Sequence, residues 1–119
     1  MKYLCLIYDE EKKLAAMSKT DFESLMGEYM SLVKDLRASG HFVGGNDLQP
    51  TQNATTVRVR NGKISTTDGP FAETKEQLGG YFLIEARDLN EAIQVAARIP
   101  SARLGSIEVR PIQEHEQPA

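Results

Sequence analysis

Two segments of the chain are apolar on both faces of a strand, and this feature most constrains the fold. Residues 2–8, KYLCLIY, and residues 78–86, LGGYFLIEA, are short and nearly continuous in hydrophobic side chains. Successive side chains of a strand point to opposite faces, so each segment predicts a central strand that is covered on both sides. The chain is therefore predicted to build a sheet whose two faces are both buried.

Two helices are predicted between the strands, and both carry capping signals. Ser18 is the predicted N-cap of the first helix, which ends near Gly40. Asp88 is the predicted N-cap of the second helix, which ends at Pro100. Apolar residues follow the helical period in both. The predicted stripe of the first helix is Phe22, Leu25, Met26, Tyr29, Leu32, Val33 and Leu36, and that of the second is Leu89, Ala92, Ile93, Ala96 and Ile99.

The remaining segments complete a recognisable order of elements. Residues 41–48 form a predicted short strand, and residues 106–112 the last strand. Asn61-Gly62 lies between two alternating segments and predicts a β-hairpin with a two-residue turn. The order of strand, helix, strands, hairpin, strand, helix and strand is typical of an α+β ferredoxin-like sandwich, here with an added β-hairpin.

Both helices of this fold pack on one face of the sheet, so the apolar side chains of the other face need a different cover. Residues 1–112 are predicted to be a single domain, and residues 113–119 a polar tail that we expect to be disordered. No part of the chain is left over to cover the second face. We therefore predict a homodimer in which sheet packs against sheet.

Composition excludes several classes of function. The net charge is −3 over 119 residues, which argues against direct nucleic-acid binding and against an anionic membrane as the partner. The single cysteine, Cys5, lies between two leucines and is predicted to be a buried hydrophobe in a cytoplasmic protein. Two histidines far apart predict no metal site, and neither Gly-Gly pair has the spacing of a cofactor-binding loop, so no cofactor is expected.

One long motif identifies a family. The segments TTDGPFAETKEQLGGYFLIEARDLNEA, MKYLCLIY, ATTVRVRNGK and RIPSARLGSIEVRPI resemble the DGPF-domain branch of the YCII-related proteins over residues 1–112. The resemblance implies a dimeric α+β barrel with a ferredoxin-like subunit. Most such proteins are of unknown function, and their genes often lie beside those of extracytoplasmic-function sigma factors, which implies a sigma factor as a candidate partner.

The chain departs from the family at one place. Some YCII-related proteins are thought to use a histidine on the first helix and an aspartate before a proline after the second helix. Here Glu28 and Ile99 stand at those positions. The dyad therefore does not carry over, and hydrolase or dehalogenase activity of that type is not expected.

The loop that begins at Asp68 supplies most of the candidate site residues. Asp68 and His41 are the candidate catalytic residues, Asp68 as a carboxylate base at the rim of a cleft at the dimer interface and His41 as the histidine of the folded domain. The candidate ligand-binding residues are Phe71, Glu73, Lys75, Glu76, Tyr81 and Arg58. Structural roles remain open: Asp68 and Phe71 can fix the loop, His41 can cap a helix, and Arg58 can be an edge charge.

Three functions follow from this reading. The first is a homodimer that binds an unidentified small molecule in a cleft walled by the loop, with isomerase or lyase chemistry where it is an enzyme. The second is a regulatory module that binds a protein such as a sigma factor. The third is a loop with a purely structural role and a function elsewhere in the chain.

Overall fold

The computed structural model describes residues 1–115, so the last four residues of the predicted polar tail, 116–119, lie outside the described residues. In chain order the elements are β1 (Lys2–Asp9), α1 (Glu11–Ala15), α2 (Lys19–Ala38), β2 (Phe42–Asp47), β3 (Thr55–Arg60), β4 (Lys63–Asp68), β5 (Gln77–Glu85), α3 (Leu89–Ala96), α4 (Ser101–Leu104) and β6 (Ser106–Pro111). A 3₁₀ turn, Thr51–Asn53, precedes β3.

Four strands form one antiparallel sheet in the order β2-β5-β1-β6. The central strand β1 pairs with β5 and β6, and Cys5 lies opposite Phe82 on one side and Val109 on the other. Setting aside β3 and β4, this order is that of the ferredoxin-like fold. The predicted α+β class and the ferredoxin-like sandwich are therefore confirmed.

The core lies between the helices and one face of this sheet. Tyr3, Cys5 and Ile7 of β1 are buried there. Leu4, Leu6 and Tyr8 lie on the opposite face and are only half-buried. The buried cluster also contains Leu32, Leu36, Phe82, Ile84, Ala86, Ala92, Val95, Ala96 and Ile99. The alternation has a period of two, as a strand requires, and it leaves an apolar sheet face without helices.

The helix-free face carries side chains from β1, β5 and β6. Leu4, Leu6, Tyr8, Leu78, Tyr81 and Leu83 lie on it, with Glu108 and Arg110 of β6 beside them. The described residues extend over 50 × 48 × 20 Å. Packed sheets lie about 10 Å apart, so a thickness of 20 Å fits two layers, one of helices and one of strands. Nothing in the described chain covers this face.

Helix α2 begins and ends as its sequence predicts. The Ser18 hydroxyl accepts the Asp21 N–H at 3.1 Å, which satisfies one free donor of the first turn. Gly40 has φ +80°, and the following His41 N–H donates to the Leu36 carbonyl at 2.9 Å. The left-handed residue after the last turn is a common helix stop, and glycine adopts it without strain.

The predicted apolar stripe of α3 is partly wrong. Leu89 and Ile93 are 48% and 46% exposed, whereas Val95 is buried. The buried set of Ala92, Val95, Ala96 and Ile99 has the spacing i, i+3, i+4, i+7 that one helix face requires. In the first helix, Phe22 of the predicted stripe is likewise exposed.

Two short helices are absent from the sequence prediction. α1 has five residues and α4 has four, too few for an apolar period to show. Pro100, predicted to end the second helix, is instead the N-cap of α4 and is fully buried. These short helices place Glu11 and Ser101 in the surroundings described below.

The hairpin of β3 and β4 confirms its predicted turn. Asn61 and Gly62 have φ values of +53° and +73°, as a primed two-residue turn requires. The two strands form a separate sheet and pack closely only against each other. The hairpin therefore projects from the end of the main sheet at which β2 finishes.

Candidate functional site

The DGPF loop, residues 68–76, begins with a turn that only glycine adopts without strain. Gly69 has φ +106°. Its N–H donates to the Ala54 carbonyl at 2.8 Å, and its carbonyl accepts the Thr56 hydroxyl at 2.9 Å. These two bonds fix the turn to the start of β3. Pro70 then restricts the backbone as the chain leaves the hairpin.

Beyond this turn the DGPF loop forms one wall of a groove of about 670 Å³. The volume lies within the range of small-molecule sites in proteins. The opposite wall is the start of α1 and the 3₁₀ turn. The groove is lined by Glu10, Glu11, Lys12, Thr51, Gln52, Gly69, Pro70, Ala72, Glu73, Thr74, Lys75 and Gln77. The groove thus joins three segments that are far apart in the sequence.

Two side chains connect the walls of the groove. The Glu11 carboxylate accepts the Thr51 N–H and hydroxyl, both at 2.9 Å, and so connects α1 to the 3₁₀ turn. The Gln77 amide accepts the Glu11 N–H at 2.9 Å and donates to the Thr74 carbonyl at 2.6 Å, and so connects α1 to the DGPF loop. A charge-assisted pair of bonds to one carboxylate is strong. These residues are already bonded and serve as scaffold.

The remaining charged side chains lie along the rim. Lys75 Nζ lies 3.9 Å from Glu10 Oε1, across the groove, although its side chain is largely exposed. An exposed pair of this kind contributes little to stability and is easily replaced by a ligand. Glu73 and Lys12 also line the groove, and no ion pair involves either of them in the described chain. The rim can therefore offer both signs of charge to a ligand.

The structure places the predicted residue Asp68 just outside this groove. Asp68 is the last residue of β4, opposite Thr55, and its exposed side chain makes no hydrogen bond to another described residue. Phe71 is 83% exposed and therefore does not anchor the DGPF loop within this chain. The turn is held by backbone bonds at Gly69.

Among the predicted ligand-binding residues, Glu73 and Lys75 lie together in the groove. Glu76 follows them and accepts the Ser106 hydroxyl at 2.7 Å, which ties the end of the DGPF loop to β6. Tyr81 lies on the helix-free face, where its hydroxyl accepts the Asn46 amide at 3.0 Å. Arg58 lies on the hairpin opposite Ser65. The structure thus brings together the loop residues but not Tyr81 or Arg58.

His41 lies at the other end of the main sheet. Its carbonyl accepts the N–H of Glu85, the last residue of β5, whereas Gln77, the first residue of β5, lines the groove. Nine residues of strand span about 26 Å between its ends. The ring contacts Ser39 at 2.7 Å and Glu91 at 3.2 Å. His41 and Asp68 therefore do not meet within one chain.

A buried polar network lies behind the groove, and sequence reasoning missed it. Ser101 Oγ donates to Asp9 Oδ2 at 2.7 Å, and the Tyr29 hydroxyl lies 2.5 Å from the same Ser101 oxygen. Since the one Ser101 proton is used for Asp9, the Tyr29 hydroxyl donates to Ser101. Asp9 and Ser101 are 8% and 1% exposed. Asp9 directly precedes Glu10 and lies opposite Gln77, and both of these line the groove.

The network holds an unusual carboxyl group. Asp9 Oδ1 is buried and has no hydrogen-bond partner in the described chain. Burial raises the pKa of Asp9; the Ser101 hydrogen bond opposes this rise and the nearby Glu76 charge adds to it. Burial likewise raises the pKa of Tyr29. Both groups therefore ionise less readily than they would in water.

Residues 1–115 contain neither a metal-binding cluster nor a membrane-spanning helix. No group of three or more histidine, cysteine, aspartate or glutamate side chains has the geometry to hold a metal ion. None of the helices among these residues has the length and apolar character needed to cross a membrane.

Two comparisons relate the chain to known proteins. The family model of the YCII-related domain matches residues 1–116. An uncharacterized protein of Rhizobium meliloti is 38% identical over 114 residues, which cover 94% of this chain and 92% of that protein. The match extends over β1, the DGPF loop and β6 alike. The chain therefore belongs to the YCII-related family.

Proposed function

We propose that the protein is a homodimer that binds a small polar molecule in the groove between the DGPF loop and α1. The groove itself is the observation that carries this proposal, because it is large enough for a metabolite and its walls are braced by Glu11 and Gln77. A positive-φ turn at Gly69, bonded to the start of β3, holds the loop in place. A loop that only connects two strands would not need to be bonded to a neighbouring strand in this way.

The rim suggests the chemistry of the ligand. Glu10 and Glu73 offer carboxylates, and Lys12 and Lys75 offer ammonium groups. A ligand with both hydrogen-bond donors and acceptors matches this rim, whereas a large apolar ligand does not. Asp9, directly behind Glu10, has a pKa raised by burial, but its carboxyl group is bonded to Ser101 and does not line the groove.

The homodimer part of the proposal rests on the helix-free face. Its leucines and tyrosines are only half-buried in one chain, and the described residues provide no third layer. A second copy that packs sheet against sheet would cover this surface, so that both faces of the sheet would be buried in each subunit. Sedimentation equilibrium at micromolar concentration tests this part, and a monomer would contradict it.

A thermal-shift screen against a metabolite library tests the binding proposal, because any ligand of the native state raises the melting temperature. Hits are then compared in Glu73→Gln and Asp68→Asn, which each remove one loop carboxylate with little change of shape. We expect Glu73→Gln to weaken the shift and Asp68→Asn to preserve it, since only Glu73 lines the groove. A screen without hits would contradict a ligand in this groove. So would hits that bind to Glu73→Gln and to Lys75→Met as tightly as they bind to wild type.

The alternative function is a regulatory module that binds another protein, such as an extracytoplasmic-function sigma factor. The exposed apolar side chains of the hairpin favour it, since such surfaces often mark protein contacts. Co-purification of a stoichiometric partner that masks the hairpin from protease, with no ligand found for the groove, would support this alternative.

A further inference from the structure

The hairpin of β3 and β4, residues 55–68, has two different faces. Val57 and Val59 lie on one face together with Ile64, which is opposite Val59 in the register. These three side chains are 60%, 56% and 75% exposed. Arg58, Arg60 and Lys63 lie on the other face. The hairpin, called the arm below, thus presents an apolar stripe to solvent.

An isolated two-stranded hairpin is at best marginally stable in water. The arm packs closely on no other element of its own chain. The radius of gyration is 16.6 Å, whereas a compact domain of this length has about 13 Å. The larger value agrees with an arm that projects from the rest of the chain. A surface that must be covered for the hairpin to be stable is therefore uncovered within one chain.

The charge of the arm indicates its partner. Residues 55–68 contain three basic residues, Arg58, Arg60 and Lys63, and one acidic residue, Asp68, a net charge of +2. The whole chain has a net charge of −3, so the residues outside this segment, the body, carry −5. An arm and the body of another copy attract each other, whereas two arms repel each other.

We propose that each arm docks on the body of a second copy of this chain, with its Val57, Val59 and Ile64 face buried against the partner. This inference rests on the proposed homodimer and extends its contact beyond the two sheets. The arm leaves the main sheet at the groove, and the docked arm fixes the hairpin strands from which the DGPF loop starts. Dimer formation and the shape of the groove are therefore linked.

The dissociation constant of the dimer, measured by sedimentation, tests the arm. Ile64→Thr replaces an apolar side chain that is 75% exposed in one chain, and Ile93→Thr makes the same change on α3, at 46% exposure. We expect Ile64→Thr to weaken the dimer about 10- to 100-fold, because two arms are altered per dimer. Ile93→Thr should leave the dissociation constant within about twofold of wild type.

Cross-linking of mixed ¹⁴N and ¹⁵N protein with a carbodiimide locates the arm. Peptides that join Lys63 of one isotope to a body carboxylate of the other support the docked arm. The docked arm is overturned if every cross-linked Lys63 peptide joins residues of the same isotope. It is also overturned if the Ile64→Thr dimer is as tight as the wild-type dimer, which is the result expected if a different protein binds the arm. A wild-type monomer at about 50 µM overturns the proposed homodimer and the arm contact together.

Discussion

Ser101 Oγ donates a 2.7 Å hydrogen bond to Asp9 Oδ2, although the two residues are 92 positions apart in the chain. The bond joins the end of β1 to the first turn of α4 and lies directly behind the groove. It is also the single bond from the described chain to a buried carboxyl group, whose other oxygen has none. The stability of this end of the sheet therefore depends on Ser101.

Ser101→Ala is expected to destabilise the protein by about 1–3 kcal/mol, because it leaves both Asp9 and the Tyr29 hydroxyl without their partner. Urea unfolding measures the change. Ser24→Ala, at an exposed position of α2, is the matched control and should stay within about 0.5 kcal/mol of wild type. Equal effects of the two substitutions would show that the network contributes nothing.

Asp9 should make the protein less stable as the pH rises. Burial raises its pKa above the ordinary value of 3.8, so between that value and the native pKa the unfolded chain holds fewer protons than the native one. Unfolding then becomes more favourable with rising pH until Asp9 is ionised in both states. Relative to Asp9→Asn, which does not titrate, wild type should lose stability from about pH 4 upwards and then level off.

The measurement is the free energy of unfolding in urea of both proteins at steps from about pH 3.5 to about pH 7.5. Glu76→Gln removes a charge that adds to the rise in the Asp9 pKa. It should therefore narrow the pH range over which wild type loses stability relative to Asp9→Asn. A wild-type protein that gains stability over Asp9→Asn as the pH rises would mean that the native carboxylate is stabilised, the opposite of what is expected here.

The sequence contained one signal for this network that was read differently. Tyr3, Cys5 and Ile7 share the helix-facing side of β1, and a period of two places Asp9 on the same side. The predicted strand, residues 2–8, ends one residue earlier, so Asp9 is absent from the predicted core. Its partner Ser101 could not be identified, because only tertiary packing brings α4 to β1.

The same limit applies to the groove. The Asn61-Gly62 turn and the Ser18 cap depend on neighbouring residues and were predicted correctly. The groove joins α1, the 3₁₀ turn and the DGPF loop, and its braces at Glu11 and Gln77 span 40 and 66 positions. A local sequence pattern does not reveal contacts between distant residues. Only the wall formed by the DGPF loop was therefore predicted.

Cys5 should be inert in the native protein. Its side chain is 0% exposed, and burial raises the pKa of the thiol to about 11. The reactive thiolate is therefore scarce as well as inaccessible. We expect alkylation by iodoacetamide at about pH 8 to proceed only through unfolding, with complete labelling in urea as the control. Rapid labelling of the native protein would place Cys5 outside the core.

Gly105 and Gly27 are expected to respond in opposite directions to alanine. A Cβ at Gly105 would lie 2.0 Å from the Tyr8 carbonyl oxygen and 3.2 Å from the Asp9 Cα, so the start of β6 would have to move away from β1. Gly27 lies on the exposed side of α2 with nothing within 4 Å of a built Cβ. Alanine there removes the entropic cost of a helical glycine and should stabilise the protein by about 0.5–1 kcal/mol.

Urea unfolding of the two variants provides the comparison, and Gly105→Ala should lose more than about 2 kcal/mol, because backbone and not a flexible side chain blocks the added methyl group. The loss should also displace Asp9 from Ser101, since Gly105 packs against the Asp9 backbone. Gly105→Ala should therefore abolish the pH-dependent difference expected between wild type and Asp9→Asn, while Gly27→Ala keeps it. A Gly105→Ala protein with wild-type stability would show that β6 does not hold Asp9 in place.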